Sequence, residues 1–171
     1  MERYYAHSVP GRGPDAWQDL EKHLQGVADM AADFAQPFGG EEWARLAGLW
    51  HDVGKATASW QAYLLHANGV ADEVVKHYRG RTEHAIVGAQ KLLSVSPAAG
   101  KLLAYCLSGH HGGLPNWEGG EQTALKSRIA GQYDDPEIGV NTPEFPHRPP
   151  FALNDHLRSG YQLQFFTRML F

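Results

Sequence analysis

Six side chains of this 171-residue chain have the types and settings that metal chemistry needs: His23, the adjacent pair His51-Asp52, His84, and the twin His110-His111. A neutral imidazole offers one nitrogen ligand, and a carboxylate has two oxygens that can bridge two ions. His51-Asp52 stands in the run Leu49-Trp50-His51-Asp52-Val53-Gly54-Lys55, where Gly54 permits a sharp turn and Lys55 places a cation near any bound anion. Neighbouring residues in a regular helix point about 100° apart, so His110 and His111 reach one ion only from a helix end or a turn. The flanking Gly109 and Gly112-Gly113 supply that freedom. Five imidazoles and one carboxylate suit a di-metal hydrolase, in which the ions activate water and clamp the attacking and leaving oxygens of a phosphate. Mixed nitrogen and oxygen ligands favour Mn, Fe, Co, Ni or Zn over Mg or Ca.

The elements that must position these residues are helices. Asp15 to Phe38 reads as an amphipathic helix, with Trp17, Leu20, Leu24, Val27, Met30 and Phe34 at three- and four-residue steps. His23 shares the face of Val27, Met30 and Phe34, so it points toward the core and needs a partner there. After Gly39-Gly40, Glu41 to Trp50 forms a second helix that delivers His51 and Asp52 at its C-terminal end, and Thr57 to Leu65 a short third. Thr82 can cap a helix from Glu83 to Leu93, with His84 in its first turn. Ser96-Pro97 opens another that runs through Leu102, Leu103, Tyr105 and Leu107 into the twin histidines. Glu121 to Gln132 reads as a solvent-facing helix, and Tyr133 to Pro150, with five of the ten prolines, as an irregular connector. A last helix starts near Asn154 and is still apolar at Phe171, so the expectation is a chain cut within that helix. No strand pattern or internal repeat stands out.

Length and composition fit one globular domain with a sizeable core: 171 residues, 43% of them hydrophobic, and five Trp. A net charge of −4 excludes grip on nucleic acid by bulk electrostatics, so any polyanion contact is local. The single cysteine, Cys106, excludes a disulfide framework, fits a reducing cytoplasm and reads as a buried thiol. No apolar run approaches the roughly 20 residues of a membrane span, and no signal-peptide pattern is present.

The order His, His-Asp, His, His-His resembles the HD phosphohydrolase superfamily. More narrowly, Tyr5-Ala6-His7-Ser8, Leu46 to Ala56, His84-Ala85-Ile86-Val87-Gly88-Ala89 and Ser108 to Pro115 resemble the HD nuclease domain of the CRISPR-associated type I nuclease-helicase. The resemblance implies an all-helical domain, residues 1–171, that degrades single-stranded DNA with two divalent transition-metal ions. It implies Asp52 as the bridge, His23 and His51 at one ion, His84, His110 and His111 at the other, and Lys55 steadying a phosphate. It also implies a helicase domain or subunit and recruitment by the CRISPR surveillance complex. The family adds a last Asp beyond a segment like Phe165 to Phe171, so the expectation here is a truncated domain with one ion site weak or empty.

Other residues read more plainly. His7 is a structural or groove residue; His66, His77, His147 and His156 are solvent-exposed, and Asp155 is a helix-start residue. Lys76, Tyr78, Arg79 and Arg81 form a basic-aromatic stretch that could guide a single strand, and Trp117 is a candidate for stacking on a base. Besides the nuclease, the same ligands would serve a nucleotide phosphohydrolase with a closed pocket, or a non-catalytic module dependent on a helicase.

Overall fold

Helices α1 (Leu20–Ala35) and α2 (Glu41–Trp50) pack as one pair, and α4 (His84–Val95) and α5 (Pro97–Gly109) as a second. Between the pairs in sequence lies α3 (Ala58–Ala67); a five-residue α6 (Leu125–Ile129) and α7 (His156–Leu170) follow. Ahead of α1, strands β1 (Tyr5–His7) and β2 (Gln18–Asp19) pair antiparallel. The computed structural model describes residues 3–70, 83–120, 123–137, 144–146, 148–153 and 156–171. The fold is all-α apart from that small ribbon.

The core joins both helix pairs to α7. Leu46, Ile86, Leu92, Leu103, Leu107 and Leu125 are fully buried, each burial stabilising by roughly 1.5–3 kcal/mol. Phe166 of α7 inserts among Phe38, Trp43 and Phe151, edge-on to each at centroid distances of 6.2, 5.6 and 5.4 Å. Glycines let the helices come close. A Cβ on Gly48 of α2 would lie 2.5 Å from the Ala28 backbone of α1, and one on Gly88 of α4 would lie 2.2 Å from the Trp50 carbonyl.

Several sequence expectations change in detail. The helix expected from Asp15 begins at Leu20, because Asp19 caps it by accepting a hydrogen bond from the Lys22 amide (3.1 Å). Trp17 therefore leaves the α1 stripe and packs against Tyr5 and Trp60. Met30 and Phe34, expected on the core face, are 56% and 75% exposed. The buried face is instead Leu20, Leu24, Ala28, Ala32 and Ala35, since the approach at Gly48 admits only small residues. The ribbon was not expected: its strands, of three and two residues, are too short to show an alternation.

The expected helix over 121–132 narrows to Leu125–Ile129 and does not simply face solvent, for Leu125 is fully buried. Residue 82 lies outside the described set, and α4 starts at His84 after Glu83. Pro97 occupies the first turn of α5, as its fixed φ favours. Cys106 is buried and unpaired. None of the described helices is long and apolar enough to cross a membrane.

Candidate metal centre

Asp52 is 3% exposed and stands at the junction of five elements. α1 carries His23 in its first turns, the C-terminal end of α2 presents His51, α4 starts at His84, and α5 ends at Gly109 just before His110 and His111. The Asp52 backbone opens the single turn of 3₁₀-helix Val53–Ala56, which brings Lys55 back over its own carboxylate. Gly54 matters here for space, since its φ is not positive: a Cβ at this position would lie 2.2 Å from the His84 carbonyl oxygen. That contact brings the His51-Asp52 turn against the N-terminus of α4.

The two carboxylate oxygens face different partners. Oδ2 lies 3.1 Å from His23 Nε2, 3.2 Å from His51 Nε2 and 2.7 Å from Lys55 Nζ. Oδ1 lies 3.2 Å from His84 Nε2 and 3.4 Å from His110 Nε2. His111 joins the second group through His84, Nε2 to Nε2 at 2.8 Å. The rings of His110 and His111 are 4.0 Å apart, reached by the turn that the chain makes as α5 ends, with Gly113 at φ +88°.

Two of these rings are held in a defined tautomer. His51 Nδ1 donates to the Gly48 carbonyl at 2.7 Å, and His110 Nδ1 donates to the Leu107 carbonyl at 2.5 Å. A carbonyl only accepts, so the Nδ1 protons are committed and the neutral rings turn bare Nε2 lone pairs toward Asp52. His110 Nε2 and Asp52 Oδ1 are both buried, and neither has a hydrogen-bond partner among the described residues. Lone pairs converging on a carboxylate without protons between them are what a shared cation satisfies. The residues fit divalent metal, and the mixed donors point to the transition series.

Electrostatics agree. Burial alone would raise the Asp52 pKa, yet hydrogen bonds from His110, His23, His51 and His84, donated when these rings are protonated in the absence of a cation, outweigh it and hold the carboxyl far below the usual carboxylate range. Burial, then the proximity of His110 and His84, lowers His111; burial, then Lys55, lowers His7. Rings kept neutral in this way are ready to bind metal.

Residues 13–144 match the family described as Cas3, HD domain. The chain belongs to the Cas3 HD family. No individual curated protein matches it. Membership makes it a CRISPR-associated HD-type domain of the metal-dependent hydrolase kind, and the buried His/Asp cluster around Asp52 is where such a Cas3 HD domain could hold its ions.

The structure thus brings together His23, His51, Asp52, His84, His110, His111 and Lys55. It adds His7, which the sequence reading set aside. His7, His23 and Asp52 offer ligand atoms within 4.8 Å of one another. β1 carries His7 there, and Gln61 fastens that strand to the turn by hydrogen bonds with Tyr5 N (3.1 Å), Tyr5 O (2.9 Å) and Lys55 O (2.7 Å). Its only sequence signal was the resemblance of Tyr5-Ala6-His7-Ser8 to the family.

The proposed nucleic-acid contacts divide. Lys76, Tyr78, Arg79 and Arg81, with His77, His147 and Asp155, lie outside the described residues. Trp117 is half-buried against Tyr105 (6.0 Å), with Lys101 Nζ 4.2 Å from its ring centroid. A cleft of about 920 Å³ does reach the site, lined by His84, His111, Lys55, Trp60, Tyr63 and Arg128 among others.

Proposed function

We propose that this Cas3 HD domain is a metal-dependent nuclease that hydrolyses phosphodiester bonds of single-stranded DNA in CRISPR interference, as defence against foreign DNA. One observation carries the reading: a single buried carboxylate divides its two oxygens between two sets of imidazoles, and one of those sets opens onto the cleft. Two divalent transition-metal ions bound there (Mn, Fe, Co, Ni or Zn) would activate a water and neutralise charge on the phosphodiester. His23 and His51 would hold one, His84, His110 and His111 the other, with Asp52 common to both. The Gly48 and Leu107 carbonyls orient the rings of His51 and His110 through their Nδ1 protons. The half-exposed Tyr63 offers an aromatic face to an incoming strand, and Arg128, paired with Glu83 at 3.1 Å, lines the same wall as the buried Lys55. A helicase domain or subunit would feed the strand, and the surveillance complex would recruit both.

The test is nicking of circular single-stranded DNA with Mn²⁺, Ni²⁺ or Co²⁺, comparing the native chain with Asp52→Ala, and with nucleoside triphosphate hydrolysis followed in parallel. Metal-dependent nicking that Asp52→Ala abolishes supports the nuclease. Hydrolysis of nucleotides alone would replace it with a small-molecule phosphohydrolase, and silence in both assays with a module that depends on its helicase.

A further inference from the structure

The two halves of the cluster are not equivalent, and the difference lies in Lys55. Its ammonium is buried and 2.7 Å from Asp52 Oδ2, with the Ala6 carbonyl at 3.1 Å, His7 Nε2 at 3.5 Å and the Trp60 ring centroid at 5.2 Å. Two of these partners, Asp52 and His7, belong to the His7, His23 and Asp52 group. The group of Asp52, His84, His110 and His111 contains no such side chain: among the described residues, only imidazoles face Oδ1.

We propose that Lys55 is a built-in cation occupying the pole formed by His23, His51 and Asp52 Oδ2 together with His7, so that metal loads first at the His84, His110 and His111 pole and reaches the other only as Lys55 withdraws. The inference rests on the two-ion reading above and deepens it. A divalent ion and an ammonium repel within a few ångströms in a buried setting, where screening by water is weak. They also compete for the same carboxylate oxygen. Lys55 therefore leaves Oδ2 when the pole fills. Because Lys55 also lines the cleft, its released ammonium is already beside the space that a phosphate would enter. Filling the second pole and presenting a cation to substrate become one event. His7 belongs to this pole as a ligand, 3.5 Å from the Lys55 ammonium.

Co²⁺ titrations followed by visible absorption and by calorimetry read the two poles without any turnover. The native chain is expected to bind one ion tightly and a second more weakly. Lys55→Met should tighten the second step by about tenfold or more and the first by much less, as expected when a buried like charge is removed from beside one carboxylate oxygen. Lys55→Arg, which keeps the charge, should retain the weak second step. Adding His7→Gln to Lys55→Met should weaken the second step again and spare the first; circular dichroism of each variant confirms that it is folded. A second step in folded Lys55→Met no tighter than in the native chain overturns the role of Lys55, and indifference to His7→Gln overturns that of His7. Failure of the native chain and Lys55→Met to bind any ion overturns the two-ion reading itself, and this proposal with it.

Discussion

Replacing Gly54 by Ala asks whether the approach of the His51-Asp52 turn to α4 sets the geometry of the cluster. The added methyl would sit 2.2 Å from the His84 carbonyl oxygen and 2.7 Å from its Cα, against ordinary contacts of 3.4–4 Å. Both atoms are backbone, so no side chain can swing away, and the two segments must part by more than an ångström. Overpacking of this kind costs about 1–3 kcal/mol, which for a chain of this size lowers Tm by roughly 2–12 °C. The same displacement carries His84 Nε2 away from Asp52 Oδ1, now 3.2 Å distant, and a misplacement of about 1 Å can cost about a hundredfold in rate. Melting, Co²⁺ affinity and nicking of circular single-stranded DNA should all fall together. Unchanged melting and unchanged Co²⁺ affinity would refute the argument that this contact positions His84. Gly26→Ala is the control: nothing lies within 4 Å of the new methyl on the exposed face of α1, so it should gain about 0.5–1 kcal/mol.

Phe166→Ala should cost about 3–5 kcal/mol in denaturant titration, because a fully buried ring is lost between α7, Phe38, Trp43 and Phe151; a loss below about 1 kcal/mol would mean that α7 is not part of the core. Burial pushes the Cys106 thiol up to about 12, so iodoacetamide near pH 8 should leave the folded chain unlabelled and modify it only in denaturant. His7 and His111 have pKa values below their ordinary 6.5, so below that pH the unfolded chain takes up protons that the folded one refuses. The stability they contribute is complete above pH 6.5 and is lost as the pH falls toward and through their lowered values. Metal-free protein should therefore melt lower near pH 5.5 than near pH 7.5, and a higher melting point at the acid end would contradict the assignment.

Much of the site could be read from spacing. An adjacent His-Asp at the end of a helical run and twin histidines among glycines leave few geometries, and those residues do converge on Asp52. The all-helical fold was equally legible, since 3.6-residue periodicity is strong over ten residues or more. What was not legible depends on contacts between elements. The buried face of α1 rotated from Met30 and Phe34 to Ala28 and Ala32, because the fit against Gly48 is a property of two helices together. His7 depends on the pairing of two very short strands and on Gln61, which no local pattern announces. Lys55 was expected to face substrate, and its 2.7 Å contact with Asp52 Oδ2 follows from the 3₁₀ turn that folds it back.

The placement of His51 and His110 just past the last residues of α2 and α5 gives the cluster a charge that belongs to no side chain. The peptide dipoles of each helix sum to roughly half a negative charge at its C-terminal end, so two such ends aimed at one point approach the strength of a second carboxylate. The carbonyls of Gly48 and Leu107, among those a helix end leaves without intrahelical partners, are capped here by the ligand rings themselves. Each imidazole thus closes its helix and passes the field of that helix on to whatever it binds. An Asp52→Asn chain would keep that attraction, and a residual, salt-sensitive affinity for divalent cations would be its signature.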